Sequence, residues 1–351
     1  MSQKPTNSSS PWIDCLFSSL NFRDGHGLSV VASTTVVSNL VSVGAFSDEP
    51  RPLRTQHSHG LEPTYRIVPV DGKGTGVVAV RNIRRGEIIM VDVPALLIGV
   101  TFLAETKPHH RRRILRQAIR QLPEETQTKI YRLHRGASKY EIDAILGPNS
   151  NTVTLGDDEA HVGLFTEVAR INHSCRPNAY YRFSERRLTM EVITYHAINA
   201  GEEILVSYVP IETPIESRRQ YLKSNWEFDC GCALCRGSEA DIEDSESWRR
   251  RMKSLKASVL SAREEGFYQD AINMVEDWLM FAELDRVPPL LAEYHGTLAD
   301  LYFLNGDMAN ATRYARMAVD GWAKLGSVDD DNLERARLFL NHLNQLNAGK
   351  Q

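Results

Sequence analysis

Three of the five cysteines in this 351-residue chain fall within six positions, Cys230-Gly231-Cys232-Ala233-Leu234-Cys235. Thiols this closely spaced, in a chain with so few of them, suit a metal site in a reducing compartment better than a disulfide framework. Three thiolates cannot close a structural zinc site, which takes four ligands in a tetrahedron and leaves no position open. A fourth ligand must come from elsewhere. Cys15 lies far away in a segment without sustained periodicity, which leaves Cys175 as the only other cysteine in the part of the chain expected to be ordered. Buried thiols without a metal are the competing explanation.

Cys175 sits in Arg170-Ile171-Asn172-His173-Ser174-Cys175-Arg176-Pro177-Asn178, and Gly201-Glu202-Glu203-Ile204-Leu205-Val206-Ser207-Tyr208 lies between it and the cluster. Alone, the first stretch reads as a polar turn with satisfied side chains. Asn172 also offers both a carbonyl acceptor and an amide donor, which suits a zwitterionic ligand carrying ammonium and carboxylate. Alone, Tyr208 is a strand tyrosine with a wet hydroxyl. Taken together in this order, the three stretches closely resemble the signature of SET-domain protein lysine methyltransferases. In style the chain is similar to the SET-and-MYND branch and its fungal relatives, although it has no second cluster of cysteine and histidine for a MYND finger. The likeness covers roughly residues 64–236.

The resemblance implies an S-adenosylmethionine-dependent enzyme that methylates a lysine side chain of a protein substrate, histone or non-histone. It assigns Cys175, Cys230, Cys232 and Cys235 to a structural Zn2+ site. It assigns Tyr208 to catalysis, and Lys73, Gly74, Thr75, Asn172, His173, Tyr208 and Phe228 to the cofactor, with Phe228 on the adenine side. It also implies that the strand bearing Asn172 is threaded beneath a neighbouring loop, an arrangement rare among folds. A structural zinc contributes on the order of 10 kcal/mol, enough to pin the cysteine segment as a lid. Chemically, a lysine amine with a pKa of about 10.4 is protonated at neutral pH and has no lone pair to attack with. A cationic cofactor and a desolvated channel lower that pKa, and a tyrosine hydroxyl can orient the lone pair so released. Val206 occupies the position where many histone-directed members carry an aromatic, and Tyr180 and Tyr181 are candidates for a second channel aromatic. The alternative reading is a catalytically weak SET protein that acts as a binding module.

Along the chain, an α+β fold is expected: a SET-type arrangement of short strands, a helical insert, a zinc-binding segment and an all-α, tetratricopeptide-like C-terminal region. Residues 1–61, rich in Ser, Thr, Asn and Pro, read as disordered, with an apolar patch at 28–43 that suits a strand or a targeting helix. Residues 62–210 read as the SET domain. It opens with strands flanking Asp71-Gly72-Lys73-Gly74-Thr75-Gly76, a glycine-rich loop that is either a hairpin turn or an approach to a ligand. Its insert, about 103–146, has helical spacing of Ile114, Leu115, Ile119 and Leu122, with Arg113, Arg116 and Arg120 on one face, read as solvated. A short helix is expected over 162–171. Residues 211–236 read as the zinc segment, 237–247 as an acidic linker and 248–351 as helices. Gly266, Gly306 and Gly326 stand where C-caps are wanted.

The formal charge of −4 argues against general nucleic-acid binding, and no apolar run is long enough to span a membrane. The expected partners are a protein with an accessible lysine and a peptide or protein held by the C-terminal helices. The expected location is nucleus, cytoplasm or both, with a chromatin role if the substrate is a histone.

Overall fold

The computed structural model describes residues 14–46, 63–156, 159–286, 291–325 and 331–348. In chain order, β1 (Asp14–Ser19), a short turn α1 (Phe22–Gly25), β2 (Leu28–Ser33) and α2 (Thr34–Ser42) come first. The hairpin β3 (Tyr65–Val70) and β4 (Gly74–Ala79) follows, then β5 (Ile88–Asp92) and β6 (Pro94–Gly99). Helices α3 (Val100–Glu105), α4 (Pro108–Arg120), α5 (Glu124–Tyr131) and α6 (Glu141–Asn149) lead to β7 (Ser150–Leu155) and β8 (Glu159–Phe165). Next are β9 (Asn172–His173), β10 (Ala179–Ser184), β11 (Thr189–Thr194) and β12 (Glu203–Val206), then α7 (Ile215–Trp226). Five further helices close the chain: α8 (Glu239–Glu264), α9 (Tyr268–Leu284), α10 (Leu291–Leu304), α11 (Met308–Leu325) and α12 (Asn332–Ala348). The architecture is α+β, and the helices of the C-terminal region form an array in which each packs on the next.

The described residues fall into two compact units. The first comprises the described parts of Met1–Arg51, Val93–Ala169 and Glu185–Thr189. Its five-stranded sheet has the order β1-β2-β6-β8-β7. Leu96, Leu97 and Ile98 of β6 are buried on both faces, as an interior strand requires, and Leu115, Ile119, Leu122 and Ile130 of the insert join the core of Leu96 and Ile98. Pro94 opens β6, the position where a missing N–H costs a strand least. Arg113, Arg116 and Arg120 are exposed, the solvated face that spacing suggested.

This unit corrects the reading of residues 1–61 as disordered. Residues 14–46 are strand and helix, and β2 pairs antiparallel with β1 and parallel with β6. The physical reason is local: Leu28, Val30, Val31 and Ala32 are all buried, as an interior strand wants, Ser29 among them donates its hydroxyl to the Ala118 carbonyl at 2.8 Å, and the Ser33 hydroxyl caps α2 by accepting from the Val36 N–H at 3.3 Å. The rest of that segment lies outside the described residues, as does Gly326. Residues 162–171, expected as a helix, are instead the second half of β8 and a single turn at Val168–Arg170.

The second unit comprises the described parts of Pro52–Asp92, Arg170–Ser184 and Met190–Gln351. Its sheets have the orders β3-β4-β12-β9 and β10-β11-β5. The acidic stretch read as a linker is the opening of α8. Ser238 and Asp241 form a reciprocal capping box, and Glu239 and Asp241 place negative charge on the first turn, where the helix dipole favours it. Gly266 and Gly306 follow α8 and α10 in the left-handed region, φ +82° and +83°, as C-capping glycines do.

Candidate cofactor crevice and thiol cluster

β12 organises the site. It pairs antiparallel with β4 and parallel with the two-residue β9, with Leu205 opposite Asn172 and Val206 opposite His173. So short a strand needs other anchors. Asn178 supplies them: its Nδ2 donates to the Glu203 carbonyl at 2.9 Å, and its Oδ1 accepts from the Leu205 N–H at 2.8 Å. The Ser174 N–H donates to the Val206 carbonyl at 2.9 Å and extends the ladder.

These pairings bring the glycine loop to Asn172. The Asn172 amide donates to Glu203 Oε1 at 2.8 Å and to the Thr75 carbonyl at 3.2 Å, and Lys73 Nζ meets Glu203 Oε2 at 2.5 Å. Gly76 is essential to this approach: a Cβ there would lie 2.8 Å from both Asn172 Nδ2 and Glu203 Oε1. At Gly74, with φ +74°, a Cβ would meet nothing within 4 Å, so the loop backbone faces open space. The glycine stretch is thus at once a β3–β4 hairpin turn and a wall beside Asn172.

Tyr208 follows β12 with its hydroxyl donating to the Ile171 carbonyl at 2.7 Å. Its ring lies 5.3 Å from His173, 4.9 Å from Trp226 and 6.5 Å, edge-on, from Phe228. Burial above all, and then the charge of Glu203, hold its phenol above the ordinary tyrosine range, so it remains a neutral donor. The Tyr208 N–H donates to His173 Nδ1 at 3.0 Å. In the neutral ring this leaves the proton on Nε2, 3.5 Å from Cys175 Sγ.

Beside His173, the Sγ atoms of Cys175, Cys230, Cys232 and Cys235 all lie within 4.8 Å of one another, Cys175 being 3.9 Å from Cys230 and 3.7 Å from Cys235. The Cys175 thiol is lowered by its bond with Cys230, but its bonds with Cys232 and Cys235, together with burial, hold it above the ordinary thiol range. Four neighbouring thiols ionise together only around a cation, so the donor set fits one metal ion.

All the expected site residues therefore meet in one unit, with Lys73 engaged by a carboxylate. Tyr180 and Tyr181 differ: with Tyr195, Ser207, Val209 and Trp278 they line a cavity of about 390 Å³ whose lining does not include Tyr208. Tyr180 stacks on Tyr195 at 4.4 Å. Glu203, Gly76, Asn178 and Trp226 went unnoticed as site residues in the sequence. Glu203 and Asn178 stand inside the quoted motifs, and Trp226 stands two positions before Phe228.

The SET domain family matches residues 74–209, from the glycine loop to the residue after Tyr208. This stretch is a SET domain. The chain is 27% identical over 263 residues to "Histone-lysine N-methyltransferase set5" of Schizosaccharomyces pombe, covering 72% of this chain and 76% of that relative. It is 26% identical over 212 residues to mouse "Histone-lysine N-methyltransferase Smyd1", covering 50% of this chain and 42% of the relative. It is 36% identical over 96 residues to "N-lysine methyltransferase SMYD2-B" of Xenopus laevis, covering 26% and 22%. It thus spans three quarters of the fission-yeast relative and less than half of the two vertebrate ones.

Proposed function

We propose that this protein is an S-adenosylmethionine-dependent protein-lysine N-methyltransferase. The observation that carries the reading is the convergence of Asn172, Tyr208 and Cys175 of a SET domain with the three cysteines that follow it, in a chain whose relatives are named lysine methyltransferases. The competing idea of a catalytically weak SET protein acting as a binding module is not favoured by those names.

The crevice suits the cofactor in its donor set and in its floor. The Asn172 amide and the backbone of His173 and of the Lys73–Thr75 loop would hold its amino-acid portion, and Phe228 its adenine. Lys73 neutralises Glu203 and so removes a bare carboxylate from that floor. When bound, S-adenosylmethionine supplies an electrophilic methyl on a cationic sulfonium. The chain's own task is then positional. Tyr208 holds its proton on the Ile171 carbonyl, which leaves the hydroxyl lone pairs to accept from the N–H of an incoming lysine and turn its free pair toward the methyl. His173, Trp226 and Phe228 surround that phenol with apolar ring surface, which excludes water and disfavours the ammonium form of the substrate.

The thiol cluster is a structural zinc site in this reading. Tetrahedral thiolates at about 2.3 Å from zinc stand about 3.8 Å apart, which the spacing of Cys175 to its neighbours matches. His173 Nε2–H steadies the Cys175 thiolate from outside the ligand shell. Residues 62–210 serve as the catalytic SET domain, 211–236 as the zinc segment and the helices from α8 onward as the partner-binding region. Among the described residues no helix is long and apolar enough to cross a membrane. A histone substrate would place the enzyme in the nucleus, and a non-histone one in the cytoplasm.

The test is transfer of labelled methyl from the cofactor to purified histones and to whole-cell extract. Wild type should label lysine in at least one protein, and Tyr208→Phe should label it far more slowly. Identical labelling by both, or none by either, would overturn the reading.

A further inference from the structure

Helix α8 carries a buried charge cluster that reaches back to the thiol site. Asp285, which caps α9, is fully buried, and so are Arg249 at 1% exposure and Ser245 at 0%. Asp285 Oδ1 accepts from Arg176 Nε at 3.0 Å and Nη2 at 2.8 Å and from the Ser245 hydroxyl at 2.6 Å. Its Oδ2 accepts from Arg249 Nε at 2.6 Å. Arg249 then spends its two remaining nitrogens on backbone: Nη2 on the Cys175 carbonyl at 2.7 Å, and Nη1 on the Ile211 carbonyl at 2.9 Å. One turn away, Arg218 pairs with Glu246 at 2.8 Å, and Glu246 caps α7 through the Ile215 N–H at 2.9 Å.

Stability alone does not account for such a cluster, because apolar residues of the same volume serve a core as well as a buried ion pair does. Its reach is more telling. Cys175 ends the β9 stretch that begins at Asn172, and Ile211 lies three residues past Tyr208, so one guanidinium holds both chain segments that leave the site. Arg176 and Arg249 together also outnumber Asp285 in charge, and the surplus lies against Cys175, beside a cluster that would carry a net charge of about −2 as a four-thiolate zinc site.

Resting on the zinc reading above, we infer that Arg249, oriented by Asp285, is a positioning residue for the metal site, so that the C-terminal helices and not the cysteine segment alone set how firmly zinc is retained. Outer groups of this kind typically change metal affinity by roughly 10–100-fold when removed.

The experiment is the rate at which zinc passes from the intact protein to an excess of a chromogenic chelator, with circular dichroism to verify folding. Arg249→Lys keeps the charge but loses the fork, and should release zinc at least about tenfold faster than wild type. Ser245→Ala removes one donor to Asp285 from a helix that tolerates alanine, and should release it about threefold faster. Arg263→Met, which breaks an exposed pair with Asp300 from the same helix, serves as control and should match wild type. Ser245→Ala decides alone if Arg249→Lys does not fold. Zinc-loaded wild type with folded variants releasing at its rate overturns only this inference; wild type without zinc overturns the metal reading and this inference with it.

Discussion

The five-stranded sheet of the first unit and the cysteine segment of the second are held by different forces. The sheet buries Val31, Leu96, Ile98 and Leu164 against the insert's Leu115, Ile119 and Ile130, a core that needs no ligand. The segment 227–237 contains no helix or strand, and its small cluster consists of Leu234, Ile242 and the four cysteines themselves. Apolar burial on that scale is small against the conformational entropy of eleven residues, and in the proposed reading a metal supplies the difference. On that proposal the fold is complete in one place and conditional in another, and the conditional part is the one that borders Tyr208.

The largest effect should follow from Cys232→Ser. Loss of a zinc site removes on the order of 10 kcal/mol from its segment. Hydrogen exchange should rise across 227–237 and at Asn172 and His173, while β6 keeps its protection. Leu97→Ala does the reverse. It opens a cavity in a wholly buried position and should cost about 2–5 kcal/mol, read as a lower melting temperature with zinc content unchanged.

Tyr208→Phe separates chemistry from both forces: methyl transfer should fall on the order of 100-fold with zinc content and cofactor affinity nearly intact. Because burial raises the Tyr208 pKa above the usual value of about 10, its hydroxyl stays protonated from about pH 6 to 9. The wild-type rate should therefore show no descending limb from this group over that range, and the variant should be slower by the same factor throughout. Gly76→Ala is the mildest. Its Cβ would press on Asn172 and Glu203, and relief should cost about 1–3 kcal/mol, seen as weaker cofactor binding by titration calorimetry with zinc retained.

Much of the site was legible because its residues are clustered in sequence. Asn172, His173 and Cys175 fall within four positions and Cys230, Cys232 and Cys235 within six, so together these stretches carry the resemblance that implies their roles. The strands were legible where β-branched residues flank the glycine-rich loop, as in β3 and β4. What escaped has physical causes. Composition suggested disorder before residue 62, but four apolar positions in one strand outweigh a polar surrounding once neighbouring strands pair with both its edges. Charge suggested a linker at 237–247, where Ser238 and Asp241 already spelled a helix start and Ser245 and Glu246 point inward. The Arg249–Asp285 pair joins residues 36 apart in the chain, and no local pattern announces it.

The most direct test of the account is cofactor affinity measured on one preparation stripped of zinc in graded steps, with the metal content of each step determined by elemental analysis. Binding capacity for S-adenosylmethionine should fall in proportion to the zinc removed and return when zinc is restored, while the circular dichroism of the bulk fold persists. Full cofactor binding by a folded chain that contains no zinc would contradict it.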